Sequence, residues 1–283
     1  MALRDAITAI AAEYERMSVR QLFYQLVSRG VIEKTERSYK RVCDQSAQMR
    51  LDGSLDYRKI TDGHRSRRVT FTSAGVQSAL ESAHDLYRRN YWIDQPHTVE
   101  VWCEKDALSG VIQPVADDYG VPYVATRGFP SITLRYESAM ALMDSGKPGI
   151  ILYFGDHDAS GQQISANLQD ELRMHGADVQ VRRQALNPMQ IDDYTLPTRP
   201  GKRSDSRHAA FAARYGDASV ELDALPPDTL TALVRASIVA EIDASAWNRM
   251  VAIEKLERKT LASLATVNWE SGNEYGLQKE DAT

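Results

Sequence analysis

Short apolar runs alternate with amphipathic segments through the middle of the chain. The runs TVEVWC, PYVAT, GIILYF and DVQVRRQAL are rich in β-branched and aromatic residues, which is typical of buried strands. Helical patterns separate the runs, and strands that alternate with helices predict a parallel sheet covered by helices on both faces. We therefore expect an α/β core of about four parallel strands over residues 98–186.

The N-terminal part shows three helical patterns followed by a basic segment. A first helix is predicted from Asp5 to about Arg16, a second begins at the capping box Ser18-Val-Arg-Gln21, and a third covers about Thr35 to Leu51. The stretch LDYRKITDGHRSRRVTF then predicts a strand, a glycine turn and a basic return strand. Three helices and a hairpin are typical of a winged-helix DNA-binding domain, here expected over residues 1–70.

The remaining segments are expected to support these two parts. They are a connecting helix within 71–97, a loop and C-terminal helices packed on the α/β core over 187–270, and a loose tail over 271–283. The polar, proline-rich stretch 187–207 predicts a long loop, either a lid over the active face or a DNA contact. Helix starts are predicted at Pro226 and Pro227 and near Ser245.

Charge is unevenly distributed along the 283 residues. The net charge is −5, yet residues 1–68 hold 14 Lys and Arg against 9 Asp and Glu, while residues 69–283 hold 20 against 30. The basic N-terminal part favours a nucleic-acid partner. No apolar run approaches a membrane span, and acids interrupt the apolar N-terminus, so we expect a cytoplasmic, nucleoid-associated protein without a membrane partner. Cys43 and Cys103 are expected to be buried and unpaired, and no Walker loop predicts ATP hydrolysis.

Carboxylates follow two of the predicted strands. Glu104 comes directly after TVEVWC, and Asp156 and Asp158 follow GIILYF. Since the carboxyl ends of parallel strands meet at one edge of a sheet, these acids should lie close together, at the edge where ligands bind. Three carboxylates repel one another unless a cation neutralises them, and oxygen ligands suit Mg²⁺ and a phosphate ester. The spacing alone also allows ordinary turn chemistry, with an Asp capping the next helix.

A tyrosine near the N-terminus is the other candidate. In the second predicted helix the apolar stripe includes Leu22, Phe23 and Leu26, and Tyr24 falls off that stripe, so it should face outward with Arg20 one turn before it. Such a tyrosine is commonly a surface or interface residue. A nucleophilic phenol needs a nearby cation or metal at neutral pH, because its ordinary pKa is about 10, and Arg20 supplies part of that requirement.

Two motifs resemble known families. GDHDASG after an apolar strand, with an upstream strand ending in EK and the turn ATRGFPSI between them, resembles the Toprim domain, a Rossmann-like fold of topoisomerases, primases and some nucleases. RQLFYQL is similar to the Arg-x-x-aromatic-Tyr motif of the topoisomerase VI A subunit and the related meiotic double-strand-break protein. By position Tyr24 is the nucleophile and Arg20 its support, and Phe23 stands where the family usually has Tyr.

The ELDALPP stretch also resembles a segment that follows the Toprim core in bacterial and phage relatives of the A subunit. Its acids, Glu221 and Asp223, either add negative charge behind the metal ligands or serve packing and helix capping, and the second role is favoured. The resemblance as a whole spans about residues 17–68 and 98–230.

The resemblance implies a Mg²⁺-dependent, topoisomerase-like transesterase that acts on double-stranded DNA. Tyr24 would form a 5′-phosphotyrosyl link, Glu104, Asp156 and Asp158 would hold the metal, and Glu104 would also handle the proton of the 3′ oxygen. In that family the tyrosine of one subunit works with the metal site of the other, which implies a homodimer that makes paired cuts. Strand passage would require a separate ATPase subunit. Expected DNA contacts are Arg37, Lys40, Arg41, Arg65, Arg67, Arg68, Lys105 and Arg127.

Two other functions fit the same residues. One is a Toprim nuclease, in which metal-activated water attacks the phosphodiester and Tyr24 only contacts DNA. The other is a catalytically inactive DNA-binding dimer that keeps the fold.

Overall fold

The computed structural model of the chain describes residues 3–61, 70, 72–202 and 204–266. Its contacts divide the chain into two units, Met1–Ser66 with Pro96–Ile242, and Arg67–Gln95 with Asp243–Thr283. Across the described residues, no helix has both the length and the apolar character needed to cross a lipid bilayer.

The helices of the described residues are, in chain order, α1 (Leu3–Glu13), α2 (Val19–Ser28), α3 (Glu36–Leu51), α4 (Val76–Leu86), α5 (Ser109–Asp118), α6 (Ile132–Asp144), α7 (Ala159–Arg173), α8 (Pro188–Asp193), α9 (His208–Tyr215), α10 (Pro227–Val239) and α11 (Ala244–Ala265). The strands are β1 (Met17–Ser18), β2 (Ile60–Thr61), β3 (Thr98–Cys103), β4 (Tyr123–Ala125), β5 (Gly149–Phe154), β6 (Val179–Ala185), β7 (Arg199–Pro200) and β8 (Ala218–Ser219).

The predicted capping box at the start of α2 is confirmed. Ser18 Oγ accepts a hydrogen bond from the Gln21 backbone N–H at 3.1 Å, and Gln21 Oε1 accepts one from the Ser18 N–H at 3.0 Å. Two N–H groups without helical partners are satisfied in this way, so α2 begins where the sequence predicts. Thr35 caps α3 in a similar manner, its Oγ1 accepting from the Ser38 N–H.

The strand predicted from Leu55 onward is wrong over most of its length. Leu51 ends α3, residues Tyr57–Lys59 form a 3₁₀ turn, and only Ile60–Thr61 is extended, as β2. Asp56 favours the turn because its carboxylate accepts a hydrogen bond from the Arg58 N–H. Strand β2 pairs in parallel with β1, and the predicted basic return strand lies outside the described residues.

The α/β core is a parallel four-stranded sheet flanked by helices, as predicted. The strand order is β4-β3-β5-β6, and all three pairs of neighbours are parallel. Every residue of β5 is buried, which explains its uninterrupted apolar run. One face of the sheet packs Trp102, Ile151 and Tyr153 against Ile164 and Leu168 of α7. This packing holds the strand ends, and the acids that follow them, in a fixed register.

The stretch 187–207 contains more regular structure than a loop. Helix α8 starts at Pro188, and Asn187 and Gln190 form a capping box at its N-terminus. Strand β7 then pairs antiparallel with β8, which precedes Val220, and Val220 and His157 exchange backbone hydrogen bonds of 2.8 and 3.0 Å. These pairings bring residues 218–224 alongside the loop that follows β5.

The second unit is built mainly from α4 and α11, which pack against each other. Tyr91 and Trp92 each contact the Trp247 ring edge-to-face, with centroids 4.7 and 6.0 Å apart. Arg89 donates its backbone N–H to Glu254 and its side chain to Glu257. Aromatic contacts and ion pairs between the N- and C-terminal parts of this unit therefore hold it together.

Candidate functional site

The carboxyl ends of β3 and β5 lie side by side. Cys103 pairs with Phe154, and the Glu104 N–H donates to the Phe154 carbonyl at 2.9 Å. The Glu104 side chain turns toward the loop after β5, where its Oε2 accepts a hydrogen bond from the Asp156 N–H at 3.1 Å. The structure thus brings together the two acidic motifs that the strand pattern predicts at one edge.

Asp156 lies at the centre of this edge. Its Oδ2 is 2.7 Å from Lys105 Nζ, and its Oδ1 accepts a hydrogen bond from the Leu222 N–H at 2.9 Å. Burial raises the pKa of the Asp156 carboxyl, while the positive charge of Lys105 opposes that shift. Lys105, predicted as a DNA contact, therefore directs its ammonium into the acidic cluster.

Asp158 has a structural role in this structure. Its Oδ1 accepts a hydrogen bond from the Gly161 N–H at 2.8 Å and caps α7. The helix-capping interpretation of this aspartate is therefore correct. Since a carboxylate has a second oxygen, capping leaves Asp158 with further capacity to bind a cation.

Burial and the neighbouring Asp156 charge raise the pKa of Glu104 to about 7. A carboxyl with this pKa exchanges a proton near neutral pH, which suits a general acid or base. Two glycines make room for it. A Cβ added at Gly155 or at Gly161 would lie 2.9 or 3.0 Å from Glu104 Oε2, so both glycines of GDHDASG are required sterically.

Two further acids, Glu221 and Asp223, belong to the same cluster, although the sequence favoured packing and helix capping for them. Lys105 Nζ lies 3.8 Å from Glu221 Oε2 and 3.8 Å from Asp223 Oδ2. Asp223 is fully buried, its carboxylate accepts no hydrogen bond from the described residues, and burial raises its pKa to about 6. The pairing of β7 with β8 places these acids here, and the sequence carries no local signal for it.

Arg183 is a further member that sequence reasoning missed. Its guanidinium donates to the backbone carbonyls of Gly155, Asp156 and Gly161, with distances of 3.0 Å to Gly155 and 2.9 Å to Gly161. The arginine therefore holds the loop after β5 against the start of α7. The position of Arg183 within the predicted strand β6 could have indicated this role, because a charged side chain in the core of a strand needs partners.

Arg20 and Tyr24 of α2 face the same cluster from the other side. Arg20 Nη2 lies 2.7 Å from Glu221 Oε2, and Arg199 Nη1 lies 2.5 Å from Glu221 Oε1. Through Glu221 and Lys105, a continuous series of ion pairs and close charges joins Arg20 to Asp156. The two motifs that the sequence places far apart are thus neighbours within one chain.

The prediction that Tyr24 faces outward is wrong, since its side chain is only 2% exposed. Helix α2 packs against α1 and α3 and also against residues 222–224, so its second face is covered as well. A single apolar stripe identifies only one buried face, and the cover on the other face comes from a distant segment. Burial and the Glu221 charge raise the pKa of Tyr24, while Arg20 and Arg199 oppose the shift.

A cavity of about 220 Å³ adjoins Tyr24 and is called the tyrosine pocket below. It is lined by Arg20, Phe23, Tyr24, Lys34, Thr35, Glu36, Tyr39, Arg199 and Glu221. A larger cavity of about 740 Å³ lies between α7, β6 and α9, and its polar lining includes Gln162 and Arg183. The lining of the tyrosine pocket includes residues of RQLFYQL and Glu221, whereas the larger cavity includes Ala159 of GDHDASG.

The predicted DNA-contacting residues have different environments. Arg37, Lys40 and Arg41 are exposed on α3, whereas Arg65, Arg67 and Arg68 lie outside the described residues. The Arg127 side chain is 69% exposed, and its Nη2 lies 2.7 Å from Asp106 Oδ2. The three cations on α3 are therefore accessible to a ligand, and their role as DNA contacts stays a prediction.

The donor chemistry at the sheet edge suits Mg²⁺, which prefers oxygen ligands. In the described part of the chain, however, no three His, Cys, Asp or Glu side chains converge on one metal position. Lys105 engages Asp156, and Asp158 caps α7. The buried carboxylate of Asp223, without a hydrogen bond among the described residues, adds unsatisfied oxygens beside this edge. Glu104, Asp156 and Asp158 therefore fit the ion by type, provided that the ammonium of Lys105 moves off Asp156.

The fold and site together define an α/β protein with an acidic cluster at the carboxyl edge of a parallel sheet. Comparison with models of known protein families finds no match for this chain. Comparison with curated proteins likewise finds no significant match. Any function must therefore be argued from the site.

Proposed function

We propose that this protein cleaves double-stranded DNA by tyrosine transesterification, with Mg²⁺ bound by Glu104, Asp156 and Asp158. One observation carries the proposal. The motif containing Arg20 and Tyr24 and the acids at the ends of β3 and β5 share a continuous charged network, through Glu221 and Lys105. A phenol nucleophile and metal-binding carboxylates have to act on the same phosphate, and their proximity supports that requirement.

The proposed chemistry exchanges one phosphodiester for another. Tyr24 Oη releases its proton to solvent and attacks phosphorus, and the bond from phosphorus to the 3′ oxygen breaks. The products are a 5′-phosphotyrosyl link and a 3′-OH. Glu104 donates a proton to the leaving 3′ oxygen. Arg20 stabilises the charge that builds on the phosphate. When bound, Mg²⁺ would neutralise further charge on the phosphate oxygens.

The rest of the proposal follows the family resemblance. Helices α1–α3 would act as a winged-helix domain, with Arg37, Lys40 and Arg41 on the DNA backbone, and the sheet would act as a Toprim domain. A homodimer making paired cuts, with a separate ATPase subunit for strand passage, belongs to the same proposal. Its support is the pair of motifs, RQLFYQL and GDHDASG.

The burial of Tyr24 favours a second candidate function. A side chain that is 2% exposed and whose pKa is raised attacks DNA poorly unless α2 moves to expose it further. A nuclease in which metal-activated water attacks the phosphodiester needs no such movement. The two functions differ in their products, since only transesterification leaves protein covalently attached to DNA.

The decisive experiment incubates the protein with supercoiled DNA and Mg²⁺, stops the reaction with denaturant and analyses the DNA ends. We expect protein on 5′ ends, lost in both Tyr24→Phe and Asp156→Ala. Cleavage by Tyr24→Phe equal to that of the parent, together with inactivity of Asp156→Ala, would instead establish hydrolysis. DNA binding in gels with and without Mg²⁺, without cleavage or adduct, would leave only an inactive DNA-binding protein.

A further inference from the structure

The tyrosine pocket contains more positive than negative charge at its centre. Three cations, Arg20, Lys34 and Arg199, line it together with Glu221, whose two oxygens are taken by the two arginines. The second acid of the lining, Glu36, is exposed in the first turn of α3. Neither Lys34 nor Arg199 is part of the tyrosine motif, so sequence reasoning assigned them no role.

Lys34 is the cation whose charge is least compensated. Its Nζ donates to the Pro197 carbonyl at 3.1 Å and lies 5.0 Å from the centre of the Tyr24 ring. No carboxylate within the described residues forms an ion pair with it. Burial lowers the pKa of Lys34, the Glu221 charge opposes this shift, and the charges of Arg199 and Arg20 act in the same direction as burial. An anion in the pocket would relieve this repulsion.

Two further features point to an anionic ligand. Helix α3, 16 residues long, begins at the pocket with Thr35 as its cap, and the N-terminus of a helix attracts negative charge. Tyr24 is 98% buried beside the pocket, and its hydroxyl makes no hydrogen bond to any described residue. The Tyr24 hydroxyl is not among the fully buried side-chain atoms that lack a partner, so it is accessible to a ligand oxygen in the pocket.

We propose that the tyrosine pocket is a phosphate-binding site in which Lys34 and Arg199, together with Arg20, hold the phosphate next to the Tyr24 hydroxyl. The phosphate belongs either to a DNA backbone or to a free phosphate ester. The assignment to DNA rests on the proposed function, whereas the anion site itself does not.

Glu221 acts as an internal competitor in this site. Its carboxylate accepts from Arg20 Nε and Nη2 and from Arg199 Nη1, which is the pattern that arginines make with a phosphate. A phosphate that enters the pocket must therefore displace Glu221 from at least one arginine. Removal of the Glu221 charge should strengthen phosphate binding, while removal of a cation should weaken it.

The test titrates the full chain with inorganic phosphate at constant ionic strength and measures Kd. We expect Lys34→Met and Arg199→Met to weaken binding about tenfold, as for the loss of one charged hydrogen bond, and Glu221→Gln to strengthen it. Lys34→Arg should retain binding. Lys255→Met, which removes an exposed lysine of α11, serves as the matched control. Circular dichroism confirms that each variant is folded.

A wild-type protein that binds no phosphate, or a folded Lys34→Met that binds it as tightly as wild type, would overturn the inference. A short DNA duplex that competes with phosphate for wild type assigns the site to the DNA backbone, and failure to compete assigns it to a free phosphate ester. Tyr24→Phe separates this inference from the proposed function, because it should abolish the covalent adduct but remove only one hydrogen bond to phosphate, so that phosphate binding weakens without being lost. If the wild type formed the covalent adduct but bound no phosphate, the phosphate-binding inference would fail while the proposed function would stand.

Discussion

Arg20 and Glu221, which are 201 positions apart, form an ion pair of 2.7 Å between α2 and the edge of the α/β core. The Glu221 side chain is only 3% exposed, so the pair is shielded from solvent on the acid's side. Because Glu221 also binds Arg199 and lies near Lys105, this one contact connects the tyrosine motif to the acidic cluster. The stability and ionisation of that cluster should therefore respond to single substitutions in predictable directions.

Tyr24→Phe should leave the free energy of unfolding within about 1 kcal/mol of wild type. The Tyr24 hydroxyl makes no hydrogen bond to any described residue, so its removal breaks none of these bonds. Tyr14→Phe is the matched control, because the Tyr14 hydroxyl donates to Gln25 Oε1 at 3.1 Å and its loss should be the more costly. Urea unfolding monitored by circular dichroism checks both. A destabilisation of Tyr24→Phe well above that of Tyr14→Phe would contradict this view of the pocket.

Lys105→Met should be strongly destabilising, by about 2–4 kcal/mol at pH 8, because it leaves Asp156 without its cation. The loss should be smaller at pH 5, where the buried acids, whose pKa values are raised, take up protons instead. Lys40→Met, an exposed lysine of α3, should change stability by less than about 0.5 kcal/mol. Equal destabilisation of Lys105→Met at both pH values would argue against this electrostatic role.

Asp223→Asn should change the pH dependence of stability. Burial raises the pKa of Asp223 from 3.8 to about 6. A folded-state pKa above the unfolded value means that the protonated acid stabilises the fold below about pH 4, and that this contribution is lost as pH rises through about 6. The asparagine does not ionise, so the variant should gain about 2–3 kcal/mol relative to wild type between pH 4 and pH 8.

Urea titrations of wild type and Asp223→Asn at pH 4, 6 and 8 measure this difference. The pKa of Glu104 is raised from 4.5 to about 7, so Glu104 also makes the free energy of unfolding fall as pH rises. This effect is the same in both proteins and cancels in the comparison. A difference between the two proteins that does not change with pH would show that Asp223 is ionised throughout the range.

Gly161→Ala should cost about 2–3 kcal/mol of stability and displace the acidic cluster. A Cβ at this position would lie 2.3 Å from the Asp156 carbonyl and 3.0 Å from Glu104 Oε2, so backbone or side chain must shift. Gly75→Ala is the control, since its Cβ meets nothing within 4 Å, and it should cost less than about 1 kcal/mol. Thermal unfolding of both variants tests the difference. Similar melting temperatures would mean that the loop after β5 adapts freely.

Local sequence patterns were sufficient to predict much of the fold. The capping box at Ser18, the helix start at Pro227 and the four parallel strands depend on neighbouring residues and on general rules for βα connections, so the sequence predicts them correctly. The proximity of Glu104 to Asp156 follows from the same rules, because parallel strands end at one edge. The strand predicted from Leu55 was mostly wrong, since the local hydrogen bond of Asp56 favours a turn.

The sequence by itself determined which segments form strands and helices and that two acidic motifs share an edge of the sheet, because those features arise from periodicities of a few residues. Only the tertiary structure decided that Tyr24 is buried and that Glu221, Asp223, Lys34 and Arg199 belong to the site. These contacts join positions that are distant in the chain. The free energy of such contacts depends on how whole surfaces pack and exclude water, and no local pattern encodes that arrangement.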